Sequence, residues 1–149
     1  LRSLQDPEHL RGIVAGVVAS AGDVPVFVKL APDLADEGVM ESVRVAEREG
    51  ARGIIATNTT IQRHGLPEVG AGGTSGKPLF ARALEVVRLV ARESSLPVIG
   101  VGGIASAEDA CAMLDAGASA LQVYSAMVFQ GPALIKRIRL GLRERGEAR

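Results

Sequence analysis

The chain has few of the residues that cross-link small proteins or bind metal ions. Its 149 residues contain one cysteine, Cys111, and two histidines, His9 and His64. A single thiol excludes an internal disulfide and is typical of a reducing compartment. Neither histidine has a cysteine, an aspartate or a second histidine at ligand spacing, so we predict no metal site.

Net charge and long apolar runs are also absent. The 17 basic and 17 acidic side chains cancel, which predicts no binding of nucleic acid. The one cluster of cations, in 136–145, alternates with apolar residues at helical spacing and is typical of a solvated last helix. No run of about 18 apolar residues and no charged-then-apolar leader occurs, so we predict neither a membrane span nor a secretion signal.

Short apolar runs alternate with longer helical patterns along the whole chain. Runs this short and this continuously apolar are typical of parallel strands covered by helices. We predict strands at 24–30, 53–57, 97–101 and 120–124. We predict helices at 7–19, 36–48, 81–93, 107–116 and 131–145.

Four strand–helix units preceded by one helix predict an α/β fold. A (β/α)₈ TIM-type barrel needs about 250 residues, so residues 1–149 correspond to the half of a barrel that four such units form, in one domain. An open, doubly wound sheet is the alternative, because alternation alone does not distinguish the two. The Gly-rich segment 61–77 is too long for a simple connection and is predicted to be a functional loop.

Polar residues at the ends of the first two strands are candidates for ligand binding. Lys29 lies in apolar sequence, where an ammonium needs an anionic or electron-rich partner unless it extends to solvent. The second strand runs into Thr57, Asn58, Thr59 and Thr60. The planar amide of Asn58 matches a ring edge with alternating C=O and N–H groups, and capping of the following turn is the alternative.

The ends of the third and fourth strands point to an anion. Gly102 and Gly103 allow the backbone to approach a ligand closely, and Tyr124 and Ser125 offer an aromatic wall and a hydroxyl. In barrels, the loops after the last two strands frequently bind phosphate. We therefore predict a phosphate site here, with glycines that only permit a tight turn as the alternative.

Five sequence blocks resemble the dihydroorotate dehydrogenases, and more narrowly their quinone-using class 2. The blocks are VKLAPDL (28–34), TNTT (57–60), GGTSGKPL (72–79), PVIGVGG (97–103) and AGASALQVYS (116–125). They follow the order and spacing of that family over essentially the whole chain. The resemblance implies the C-terminal half of a flavin-binding (β/α)₈ barrel with flavin mononucleotide (FMN) as cofactor.

The resemblance also implies roles for the residues at the strand ends. Lys29 would face the N1 and C2-carbonyl side of the flavin, and Thr57 would contact the flavin. Asn58 and Thr59 would hold the pyrimidine ring of dihydroorotate or orotate. The remaining members of the flavin site would be Gly76, Gly103, Tyr124 and Ser125, the last three around the phosphate.

For a whole protein of this family, the resemblance implies oxidation of dihydroorotate to orotate in pyrimidine biosynthesis, with electrons passing through FMN to a quinone. It implies peripheral association with the cytoplasmic side of the cell membrane. The serine base and the segments that bind membrane and quinone are expected before Leu1, so the chain alone is expected to be inactive. Thr74 stands where the family usually has leucine.

Two other functions fit the same residues. One is a non-catalytic half-barrel that binds a phosphorylated ligand or pairs with another half-barrel. The other is a different flavin or phosphate barrel enzyme, such as a dihydrouridine synthase-like reductase acting on RNA. The balanced charge counts against RNA as a substrate.

Overall fold

The computed structural model describes residues 7–63 and 72–147. The elements are α1 (Pro7–Ala21), β1 (Phe27–Leu30), α2 (Asp36–Arg48), β2 (Gly53–Ala56), a 3₁₀ helix (Lys77–Leu79), α3 (Phe80–Glu93), β3 (Val98–Val101), α4 (Ala107–Asp115), β4 (Ala120–Gln122), α5 (Ser125–Gln130) and α6 (Ala133–Glu147). Residues 64–71, which belong to the predicted functional loop, and the first six residues lie outside the described part.

The four strands form one parallel sheet in the order β1-β2-β3-β4. Lys29 is in register with Ile55, and Ile55 with Ile99. Right-handed crossovers between sequential parallel strands place every connecting helix on the same face of the sheet. A doubly wound sheet reverses its strand order instead. The observed order therefore excludes the doubly wound alternative and agrees with the prediction of a partial (β/α)₈ barrel.

The helices form one layer over the sheet, in which α1 packs on α2, α2 on α3, α3 on α4, and α4 on α6. Strand residues alternate between the two faces, as β geometry requires. Val28 and Leu30 are buried against the helices, whereas Lys29 between them is exposed on the opposite face. The side chains that complete the core are Ile54, Val98, Val39, Val43, Val86, Val87, Val90, Met113 and Leu134.

Apart from shifts of one or two residues at element ends, the structure differs from the sequence prediction in two places. The first strand begins at Phe27 rather than at residue 24, because the Val24 N–H donates to the Ala21 carbonyl 3.1 Å away and so belongs to the turn after α1. Helix α5 was not predicted, since its six residues are too few to show helical periodicity. Among the described residues, no helix has both the length and the apolar character needed to cross a membrane.

Candidate functional site

A cavity of about 780 Å³ lies at the carboxyl ends of the four strands. That volume is in the range of sites for small molecules and cofactors. Eight residues that the sequence predicts to bind cofactor or substrate all line this cavity: Lys29, Thr57, Asn58, Thr59, Gly76, Gly103, Tyr124 and Ser125. The fold therefore brings the predicted residues together, while their individual roles stay predictions.

Lys29 reaches the cavity from the exposed face of β1. From the sequence, either burial of its ammonium beside a partner or extension to solvent was possible. In the structure its apolar neighbours Val28 and Leu30 point the other way, into the core. Lys29 therefore needs no partner to offset burial, and its position beside the cavity is the argument for a functional role.

The four polar residues after β2 divide into two structural and two accessible side chains. Thr57 is buried, and its hydroxyl donates to the Asn58 carbonyl at 3.0 Å. The Thr60 hydroxyl donates to Asp33. Asn58 and Thr59 are exposed at the cavity. The Asn58 side-chain oxygen accepts the Thr59 N–H at 3.0 Å, so its amide nitrogen is the half of the head group left for a ligand.

Asp33 and Thr74 attach the segment after β2 to its neighbours. The carboxylate of Asp33 accepts from the Thr60 hydroxyl and from the Ile61 N–H at 3.2 Å. Thr60 and Thr74 exchange two backbone hydrogen bonds, of 3.1 and 2.6 Å. The Thr74 hydroxyl is buried and finds no hydrogen-bond partner among the residues that the structure describes. This orphan hydroxyl lies at the position where the family resemblance predicts leucine.

Gly103 lies where two loops of the cavity wall touch. Its φ is +71°, a conformation that glycine adopts readily. A Cβ at this position would stand 2.7 Å from the Gly76 carbonyl oxygen and 2.7 Å from Phe80 Cβ. The sequence argument attributed the missing Cβ to the approach of an anion. The structure gives a different reason, which is close packing of the β3–α4 loop on the segment that precedes α3.

Backbone N–H groups in two neighbouring loops remain available for an anion. Among the described residues, we find no acceptor for the N–H groups of Gly103, Ile104, Ser125 and Ala126. All four residues line the cavity. The Ser125 hydroxyl lies 2.8 Å from that of Ser75, which the sequence analysis did not single out. At the ends of β3 and β4, these backbone N–H groups and the serine hydroxyls are donors that suit a phosphate group.

Ser106 fixes the start of α4 directly after the cavity wall. As the N-cap residue, its hydroxyl oxygen accepts the Asp109 N–H at 3.2 Å. Its hydrogen bond to Glu108 is the main cause that lowers the pKa of that carboxyl from its ordinary value. The β3–α4 loop is thus held by a capped helix.

Arg82 holds the β1–α2 loop from α3. Its guanidinium donates to the carbonyls of Pro32 and Leu34 at 3.0 and 2.9 Å and pairs with Asp36 at 2.9 Å. These contacts fix the chain that follows Lys29, so α3 contributes to the site without lining the cavity. No motif in the sequence indicated this role.

Comparisons with known proteins show the family of the chain and agree with its fold. The family model described as dihydroorotate dehydrogenase matches residues 1–145. A dihydroorotate dehydrogenase (quinone) of Chloroflexus aurantiacus is 48% identical over 155 residues, covering 93% of this chain and 43% of that protein. The protein of the same name from Salinispora arenicola is 46% identical, and the match covers 91% of this chain and 42% of that protein.

Two solved structures of a dihydroorotate dehydrogenase from Eimeria tenella have the same fold. The complex with ferulenol superimposes with a TM-score of 0.83 at 34% identity, covering 95% of this chain and 45% of that one. The ligand-free form superimposes with a TM-score of 0.85 at 33% identity, covering 95% of this chain and 46% of that one. The chain therefore spans less than half the length of the relatives that it matches.

Proposed function

Because the chain belongs to the dihydroorotate dehydrogenase family, we propose that it forms the C-terminal half of an FMN-dependent enzyme that oxidises dihydroorotate to orotate. The observation that carries the proposal is one cavity at the ends of parallel strands, where a lysine and an asparagine meet two loops. The N–H groups of these loops find no acceptor within the described part of the chain. Ligands of α/β barrels bind at this end of the sheet.

The residues of the cavity fit FMN. The β3–α4 loop and the start of α5 would hold its phosphate, since the N–H groups of Gly103 and Ser125 find no acceptor among the described residues. Tyr124, whose side chain is largely exposed at the cavity, forms a wall beside it. FMN bound there would supply a hydride acceptor for dihydroorotate and a carrier of electrons to a quinone.

Lys29 supplies positive charge next to the flavin ring. A cation fixed beside a ring that gains negative charge on reduction stabilises the reduced state more than the oxidised state. Asn58 and Thr59 hold the pyrimidine ring, with the Asn58 amide nitrogen donating to a ring carbonyl. Its side-chain oxygen is already engaged by Thr59, which fixes the orientation of the amide.

The remaining parts of the proposal concern the whole protein. The proton that leaves dihydroorotate is taken by a serine outside these residues. The acceptor is a quinone, as in the names of the curated relatives, and the whole enzyme associates peripherally with the cytoplasmic side of the cell membrane. We assign these functions to segments that the present chain does not supply.

A fused protein tests the proposal. The part of the Chloroflexus aurantiacus relative outside the match is joined to residue 1 of this chain. We expect a yellow protein whose visible absorption bleaches when dihydroorotate is added, with formation of orotate. A matched Asn58→Ala variant should retain flavin but bind orotate more weakly, by about 1–3 kcal/mol. A folded fusion that holds FMN yet forms no orotate would contradict the proposal.

A further inference from the structure

Lys77 and Asp109 form an ion pair at the wall of the cavity. The Lys77 Nζ lies 2.6 Å from the Asp109 Oδ1. The Asp109 side chain is only 10% exposed, whereas that of Lys77 is 63% exposed. The Lys77 ammonium also lies 4.6 Å from the centroid of the Phe80 ring. Lys77 follows Gly76 and lines the cavity, and Asp109 lies outside it in α4.

Asp109 is attached to a second wall of the same cavity. Its Oδ2 accepts the backbone N–H of Ala105 at 3.0 Å, and its own N–H donates to Ser106. One carboxylate therefore connects the loop 75–79 with the β3–α4 loop, residues 102–106. Both loops line the cavity.

The two loops are also in backbone contact beside this ion pair. The Gly76 carbonyl oxygen approaches Gly103 so closely that a Cβ there would stand 2.7 Å from it. Gly103 and Ile104 supply N–H groups that the phosphate would use. A change in the spacing of the loops would therefore move these donors relative to the phosphate.

We propose that Lys77 is a positioning residue, which acts through Asp109 to hold the β3–α4 loop where its N–H groups bind the FMN phosphate. The proposal rests on the proposed function, since it requires FMN in the cavity. Asp109 is largely buried, and a buried carboxylate without its cation is strongly destabilised. Loss of the Lys77 charge would displace the carboxylate and the Ala105 N–H that it holds.

The alternative is that the Lys77 ammonium binds the phosphate directly. The two possibilities differ in the effect of Asp109→Asn. Asparagine keeps an oxygen for the Ala105 N–H but releases the lysine. If Lys77 binds the phosphate directly, Asp109→Asn should strengthen binding of FMN. If Lys77 acts through Asp109, the same substitution should weaken it.

The test measures the Kd of the fused protein for FMN and for riboflavin, which lacks the phosphate. Quenching of flavin fluorescence gives both values. We expect Lys77→Met and Asp109→Asn each to raise the Kd for FMN about tenfold and to change that for riboflavin less than about twofold. The double variant should be no weaker than either single variant, because both disrupt one contact. Lys77→Arg should restore most of the affinity. Lys136→Met, which removes the same charge on α6, should have no effect.

A readout without flavin keeps the inference testable if one variant folds poorly. The rate of amide hydrogen exchange at Ala105 should rise in Asp109→Asn and in Lys77→Met. In Lys77→Arg it should stay close to the rate of the unsubstituted protein. A fused protein that binds FMN no better than riboflavin would overturn the proposed phosphate site and this inference with it. A preference for FMN that survives Lys77→Met, or that increases in Asp109→Asn, would overturn this inference alone.

Discussion

The contact between Gly103 and Gly76 gives the sharpest prediction about the cavity wall. In Gly103→Ala, the residue must keep a φ of +71°, which costs an L-residue about 1–2 kcal/mol. Its Cβ must also displace the Gly76 carbonyl oxygen and Phe80, each 2.7 Å away. Overpacking of this kind typically costs about 1–3 kcal/mol. We therefore expect the free energy of unfolding to fall by roughly 2–5 kcal/mol.

Gly22→Ala is the matched control for this substitution. Gly22 has a φ of +58°, and a Cβ there meets no atom within 4 Å. Gly22→Ala therefore isolates the conformational cost of about 1–2 kcal/mol from the packing cost. Urea unfolding followed by circular dichroism gives both values, provided that the m-values agree. If Gly103→Ala costs no more than Gly22→Ala, the assigned packing of Gly103 against Gly76 and Phe80 is wrong.

Three further predictions concern single side chains near the site. Thr74→Val should raise the free energy of unfolding by about 1 kcal/mol, because it removes a buried hydroxyl that has no partner among the described residues. Thr60→Val, which breaks a hydrogen bond, should lower it, and equal effects in urea unfolding would refute the distinction. Arg82→Lys should cost about 1–2 kcal/mol, because one ammonium cannot reproduce the guanidinium contacts, and an unchanged urea midpoint would count against that role. Ser106→Ala should raise the pKa of Glu108 toward 4.5 in an NMR titration. In the native chain, the stabilisation linked to this lowered pKa is fully present above pH 4.5 and is lost as the pH falls through the folded-state pKa. The free energy of unfolding of the variant should therefore fall less on acidification.

The sequence predicted the architecture well because strand burial leaves a direct pattern. Continuous apolar runs located all four strands, and their polar ends located the cavity. Alternation could not choose between closed and open sheets, which depends on strand order in space. The sequence placed Lys29 beside the cavity but could not decide between burial and extension to solvent. Linear sequence does not say that its apolar neighbours face the other side of the strand.

Contacts between distant loops could not be predicted. The ion pair of Lys77 and Asp109 joins residues 32 positions apart, and the contacts of Arg82 with the β1–α2 loop span 46 to 50 positions. The Gly102-Gly103 pair indicated a close approach, and the groups that approach Gly103 are the protein's own Gly76 carbonyl and Phe80. Sequence spacing carries no information on which surface faces a glycine after folding.

The sequential strand order has a consequence for handling the protein. Within residues 7–63 and 72–147, β1 and β4 each have one strand neighbour, and they form opposite edges of the sheet. Strands at the edge of a sheet expose backbone donors and acceptors that can pair with another chain. The 149-residue chain should therefore self-associate as its concentration rises, and the fused protein should do so less. Light scattering over a range of concentrations distinguishes the two, and equal association would show that these edges are already protected.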